Sequence, residues 1–169
     1  TLGYALPGAV LAVGIFISLA WIDTQLNQII LILFEIEAGF LIQGTIIAML
    51  VAYLVRFLAV GHYPIDSAMQ RVTRSIDEAA RGFGLTGWSL LSRIHLPILS
   101  SGIFTAATLV FVDVMKEMPI TLMTRPFGWD TLAIRIFTLT SEGAWTQAAL
   151  PAIALVLAGL IPIILLMRQ

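Results

Sequence analysis

The stretch "SIDEAARGFGLTGWSLLSRIHLP", Ser75 to Pro97, is polar and charged, yet it lies between long apolar runs. Of the 169 residues, 59% are hydrophobic and 11% are charged, and the mean hydropathy is +0.99. An average soluble domain carries roughly 25% charged residues, so this chain cannot cover its surface with polar groups. We therefore expect an all-α integral membrane protein in which this stretch is a connection outside the bilayer.

Four apolar runs are long enough to cross a bilayer, since a membrane helix needs about 20 apolar residues. They cover residues 3–21, 38–61, 96–112 and 147–167. Arg56 lies within the second run, close enough to one end for its side chain to snorkel to the interface. Pairs of small residues four positions apart predict where helices pack, at Gly8/Ala12, Gly102/Ala106 and Ala154/Ala158. We expect one domain over 1–169, truncated at its N-terminal side because upstream helices are missing.

The positions of Lys and Arg predict the orientation of these spans. The connection 62–96 carries Arg71, Arg74, Arg81 and Arg93, whereas residues 22–37 carry acids and no Lys or Arg. The sequence therefore places connection 62–96, residue 1 and the C-terminus in the cytoplasm, and helix parity places residues 113–146 outside. Interfacial tryptophans are expected beside the outer boundaries, at Trp21, Trp129 and Trp145.

An apolar stripe with helical spacing predicts one long helix in the cytoplasmic connection. Its members are Ile65, Met69, Val72, Ile76, Ala79 and Phe83. On the opposite faces, Arg74 with Glu78 and Asp77 with Arg81 are spaced to form ion pairs.

The second half of the connection is predicted to be a short helix that returns to the membrane. Gly84 suits the left-handed backbone that follows a helix end, and Thr86 suits the cap of the next helix. Pro97 is expected to separate this short helix from the next span. Such a helix-turn-helix could lie on the membrane surface or pack beneath its own bundle.

The residues Glu78-Ala79-Ala80, Gly84, Ile94 and Leu96-Pro97 resemble, at every fixed position and spacing, the EAA loop of type I ATP-binding cassette (ABC) importer permeases. In that family the loop docks in a groove of the ATP-hydrolysing subunits. The resemblance therefore implies ABC ATPase subunits as partners, with ATP and Mg bound to them and no cofactor in this chain. Arg74 and Arg81 are candidate rim contacts, or plain positive charges on the cytoplasmic side.

Four further stretches are similar to the second half of iron(III) transport permeases: "GYALPGAVLAVG" (3–14), "AYLVRF" (52–57), "DVMKEMPITLMTRPFGWDTLAIRIF" (113–137) and "AALPAIALVLAGLIPIILL" (148–166). This resemblance implies ferric iron as the substrate, a periplasmic iron-binding protein, and a second permease half or copy in a bacterial inner membrane. Permeases for thiamine, phosphonates and polyamines are similar, so these substrates stay open. A membrane structural module without an ATPase partner is the alternative from a different class.

Few residues suggest a catalytic or ligand-binding site. Asp113, Lys116 and Glu117 fall within one helical turn, where they pair locally or line an outer mouth. His62 and His95 have no carboxylate at ligand spacing and are expected at the interface. The chain has no cysteine and no phosphate-binding G-x-x-x-x-G-K-[ST] sequence. We expect no catalytic residue, no metal site and no nucleic-acid partner.

Overall fold

The computed structural model describes residues 6–36 and 38–167, and within them the chain is helical without strands. The helices are α1 (Gly8–Phe34), α2 (Ile46–Met69), α3 (Arg74–Gly82), α4 (Gly87–Leu90), a π-helical segment (Leu91–His95), α5 (Leu96–Lys116), α6 (Pro119–Thr124), α7 (Leu132–Ser141) and α8 (Trp145–Met167). Helix α4, the π segment and α5 form one continuous helix of 30 residues. That helix, α1, α2 and α8 are long and apolar enough to cross a membrane, which confirms the four predicted spans.

Two close helix contacts organise the bundle. Ala12 of α1, Ala52 of α2 and Ile120 of α6 are fully buried against one another. Helix α2 packs along α5, where a Cβ built on Gly102 would lie 2.7 Å from the Pro64 carbonyl oxygen. Small residues therefore lie at these helix contacts. The hydrophobic effect does not drive helices together in lipid, so close packing has to hold them. The predicted small-residue pairs at 8/12 and 102/106 lie in these contacts, whereas Ala154 is exposed.

Helix α1 ends 13 residues beyond the predicted boundary, since it runs to Phe34 rather than to Trp21. The prediction ended the span before Asp23 because an isolated acid is costly in a membrane helix. In the structure Asp23 lies inside the helix and accepts backbone hydrogen bonds from residues 41–43. Trp21 therefore lies midway along α1, while Trp145 is the first residue of α8, and their places at the membrane interface stay predictions.

Helix α2 begins at Ile46, where Thr45 Oγ1 accepts a hydrogen bond from the Ala48 N–H at 3.4 Å. Arg56 lies near the middle of this helix, so the predicted snorkelling to an end is wrong. Its Nη1 instead donates to the Leu6 carbonyl oxygen at 2.6 Å, and its Nε lies 3.7 Å from Glu117 Oε2. The Arg56 side chain thus lies near Glu117, a carboxylate inside the bundle, instead of reaching the polar membrane interface as predicted.

The single helix predicted over residues 65–83 is two helices. Helix α2 continues to Met69, the backbone turns at residues 70–73, and α3 begins at Arg74. The apolar spacing is continuous through this turn, so periodicity gave no sign of the break. The predicted locations of residue 1 and of the C-terminal residues 168–169 fall outside the described residues.

Candidate functional site

Helix α3 and helix α4, with the turn between them, form a hairpin that we call the coupling hairpin (residues 74–90). Thr73 precedes α3, and its Oγ1 lies 2.8 Å from Ser75 Oγ. Ala80 is the buried residue of α3, at 5% exposure, whereas Glu78 and Ala79 are exposed. The buried face is therefore rotated away from Ala79 and Phe83, which the predicted stripe had placed inside. The exposed surface of α3 therefore includes the small residue Ala79 beside Glu78.

The turn at Gly84 was predicted correctly. Gly84 has φ of +79°, its N–H donates to the Arg81 carbonyl at 2.9 Å, and the Leu85 N–H donates to the Ala80 carbonyl at 3.1 Å. These two bonds are the Schellman pattern that closes a helix on a left-handed residue. They fix the direction in which the chain leaves α3.

The second arm begins where Thr86 was predicted to cap it. The Thr86 N–H donates to Ser89 Oγ at 3.0 Å, and Leu90 is buried beneath the arm. Phe83 and Trp88 stay 87% and 75% exposed. Two aromatic side chains therefore project near the turn, where burial against another molecule would stabilise them.

The predicted boundary at Pro97 is wrong, since no break separates α4 from α5. The Leu96 N–H donates to the Leu91 carbonyl, five residues back, which is the π-helical bond. Proline has no N–H and its ring crowds the carbonyl four residues earlier, so a wider turn lets the helix pass. Ile94 is partly buried, and Leu96 and Pro97 are exposed.

The sequence predicted that Asp77 pairs with Arg81, but in the structure Asp77 pairs with His95. His95 Nε2 donates to Asp77 Oδ1 at 2.8 Å, which joins α3 to the end of the π segment. His95 has no carboxylate at ligand spacing in the sequence, so its partner 18 residues away could not be predicted from spacing. The predicted Arg74–Glu78 pair is also not formed in the described structure, and Arg74 and Arg81 are exposed. Arg81 lies in the last turn of α3, where a cation favours the helix dipole.

A second group of charges lies where α5 ends. Lys116 Nζ lies 2.7 Å from Asp113 Oδ1, so the predicted local pair forms between these two residues. Glu117 is buried and turns instead toward Arg56 of α2, a partner that spacing could not reveal. The role of these residues at an outer mouth stays a prediction.

Asp23 is a polar residue that sequence reasoning assigned to a loop. It is 3% exposed, and its carboxylate accepts from the N–H groups of Leu41, Ile42 and Gln43 at 3.3, 2.8 and 2.8 Å. The available signal was one acid inside a long apolar run, which marks a structural or functional position in membrane proteins. Across the part of the chain that is described, no three His, Asp or Glu side chains are grouped to hold a metal ion.

Comparisons of the sequence with known proteins find transport proteins. The chain is 27% identical over 152 residues to the "Putative 2-aminoethylphosphonate transport system permease protein PhnV" of Salmonella typhimurium, which covers 90% of this chain and 51% of that protein. It is 24% identical over 165 residues to the "Fe(3+)-transport system permease protein FbpB 2" of Haemophilus influenzae, covering 98% of this chain and 29% of that protein. The chain thus spans about half the length, or less, of these relatives.

No protein-family profile matches the chain, and no solved structure does. The two relatives nevertheless agree in kind, since both are permease components of transport systems. Over nine tenths of its length, the chain therefore resembles permeases of the ABC-importer class.

Proposed function

We propose that this chain is the permease part of an ATP-driven importer and that the coupling hairpin receives the motion of the ATPase. The supporting observation is the exposed hairpin surface around Ala79 and Phe83. The second arm of the hairpin, α4, belongs to the same 30-residue helix as a membrane span. A push on the hairpin then moves α5 as a rigid element. Alternating access by rocking of packed helices needs such a connection.

The proposal requires partners outside this chain. ATPase subunits hold ATP and Mg, a periplasmic binding protein delivers the substrate, and a second permease half or copy completes the pathway. The chain itself then acts without catalytic residues, in the inner membrane, with residues 62–97 and the C-terminus in the cytoplasm. An open apolar groove of about 820 Å³ between α2 and α5, lined in part by Leu54, Phe57 and Val110, is suited to lipid or to that second half.

Ferric iron and 2-aminoethylphosphonate are both candidate substrates, because the relatives' names include each of them. Membrane vesicles with the complete transporter should accumulate one of the two in an ATP-dependent manner. Uptake of radioactive ferric citrate assigns iron, and uptake of radioactive 2-aminoethylphosphonate assigns the phosphonate. Thiamine or spermidine accumulation in place of both would correct the substrate but keep the importer.

Cross-linking tests the docking of the hairpin. The chain has no native cysteine, so Ala79→Cys, exposed on α3, can carry a photoreactive probe. A cross-link to an ATPase subunit is expected, and Ser101→Cys, exposed on α5, is the matched control that should contact lipid or permease. Reaction of the Ala79 probe with lipid alone, throughout turnover, would favour the structural module and reject the importer.

A further inference from the structure

We propose that Asp77 and His95 are positioning residues that brace the coupling hairpin against the π segment, so that hairpin and span move as one body. The inference deepens the proposed function and rests on it for its role in transport. Its structural part, a fixed angle between α3 and α5, stands on the geometry of the hairpin alone.

Helix α3 needs such a brace because few apolar contacts hold it. It has nine residues, and Ala80 is the one among them that is buried. The turn at Gly84 fixes one end of the helix, whereas residues 70–73 at the other end form an irregular connection. A single pivot leaves α3 free to swing about Gly84. A contact close to its N-terminal end, such as Asp77, removes that freedom.

The pair has the geometry of a strong hydrogen bond. His95 Nε2 and Asp77 Oδ1 are 2.8 Å apart, with side-chain exposures of 15% and 29%. Hydrogen bonds to an ionised carboxylate are shorter and stronger than neutral ones, and partial burial limits competition by water. Asp77 also directly precedes Glu78 and Ala79, the exposed surface that the partner would contact. Force on that surface therefore reaches His95 through one bond.

The π segment determines where His95 points. A π turn holds more residues than an α turn, so the side chains at its end and after it are rotated relative to an uninterrupted α-helix. His95 is the last residue of that segment and lies two positions before Pro97. Pro97, which favours the wide turn, thereby helps to aim His95 at Asp77. This gives the proline a mechanical role that is distinct from ending a helix.

Distance measurements test the brace without any ATPase. Spin labels at Ser75→Cys and Ser101→Cys, both exposed, report the separation of α3 and α5 in the full permease in lipid. We expect a narrow distribution for the parent and for His95→Gln, whose amide can still donate to Asp77. His95→Ala and Asp77→Ala should broaden or shift it. Arg93→Ala, an exposed neighbour in the π segment, is the control that should not.

Coupling is then measured in proteoliposomes of the complete transporter, as ferric citrate or 2-aminoethylphosphonate taken up per ATP hydrolysed. Loss of a hydrogen bond to a charged group should reduce this ratio about tenfold in His95→Ala, with hydrolysis retained. His95→Gln should restore the ratio. A purely structural role would lower expression and hydrolysis together and leave the ratio unchanged.

The two proposals fail separately. An unchanged distance distribution in His95→Ala and Asp77→Ala overturns the brace, even when the parent couples ATP hydrolysis to uptake. A broadened distribution with an unchanged uptake ratio overturns the role of the pair in coupling. A parent permease that binds no ATPase overturns the proposed function, while the distances still decide whether the pair fixes the hairpin.

Discussion

Among the described glycines, Gly102 packs most closely against another helix. A Cβ at this position would lie 2.6 Å from Ala68 Cβ and 2.7 Å from the Pro64 carbonyl oxygen, so the backbone of α2 would have to move. We expect Gly102→Leu to lower the free energy of unfolding by at least about 1–3 kcal/mol, the usual cost of overpacking. The thermal midpoint of the purified permease in detergent measures this effect. Gly159→Leu is the control, because a Cβ there meets no described atom within 4 Å.

The Arg56–Glu117 contact is a second single-residue feature with a measurable consequence. The side chains are 14% and 10% exposed, so replacing one of them leaves the other charge poorly solvated. We expect Arg56→Met to destabilise the protein by about 3 kcal/mol and the double variant Arg56→Met/Glu117→Gln by clearly less. Chemical denaturation in mixed micelles gives both values.

The neighbouring pair supplies a matched comparison. Lys116 pairs with Asp113, yet the Lys116 side chain is 63% exposed. Lys116→Met should therefore destabilise the protein less than Arg56→Met, although the Asp113 carboxylate, whose side chain is 13% exposed, loses this partner. Equal losses from Lys116→Met and Arg56→Met would show that burial does not distinguish the two pairs.

The turn between α3 and α4 depends on backbone conformation and not on space. No described atom lies within 4 Å of a Cβ built on Gly84, but its φ of +79° is strained for branched side chains. We expect Gly84→Val to abolish uptake while membrane insertion stays normal, and Gly84→Asn to keep most uptake because Asn tolerates this conformation. Uptake at matched expression is the measurement. Full uptake by the Gly84→Val variant would contradict the coupling role of the hairpin.

The connection after α1 depends on one carboxylate. Asp23 accepts three backbone hydrogen bonds from residues 41–43, and Asp23→Ala would remove the acceptor for all of them. A fully buried N–H left without a partner costs about 1–3 kcal/mol, and these part-buried N–H groups should lose less, so this connection should open locally. Hydrogen exchange of the amides at 41–43 should accelerate. Thr24→Ala, which removes an exposed bond to Ala20, should leave their exchange unchanged.

Local signals in the sequence predicted some elements well. Hydropathy predicted the four spans, and Gly84 and Thr86 predicted the turn and the start of α4, since each of these depends on neighbouring residues. The partners of Asp23, Arg56 and Asp77 lie 18 to 61 residues away in the chain, so spacing could not reveal them. The π segment was missed for another reason. Pro97 is compatible with either a helix end or a wide turn, and only the packing of α3 against His95 distinguishes them.

At the scale of the whole molecule, the arrangement of the spans predicts which segments share a side of the membrane. Helix α2 leads into the coupling hairpin, α5 leads away from it, and α8 returns after α6 and α7. Because consecutive spans reverse direction, we expect the hairpin and the segment 117–144 to lie on opposite sides of the membrane. The arginines of the hairpin favour the cytoplasm for the former.

Cysteine labelling tests this orientation, because the chain has no native cysteine. Ser75→Cys lies on α3 and Ser141→Cys at the end of α7, and both positions are exposed. A thiol reacts with maleimide as the thiolate, which requires water. Ser101→Cys, exposed on the span α5 and expected to contact lipid or permease, should therefore react slowly on either side. In intact cells a membrane-impermeant maleimide should label Ser141→Cys, and Ser75→Cys only after permeabilisation. Labelling of Ser75→Cys in intact cells would place the hairpin outside, where no ATPase could reach it.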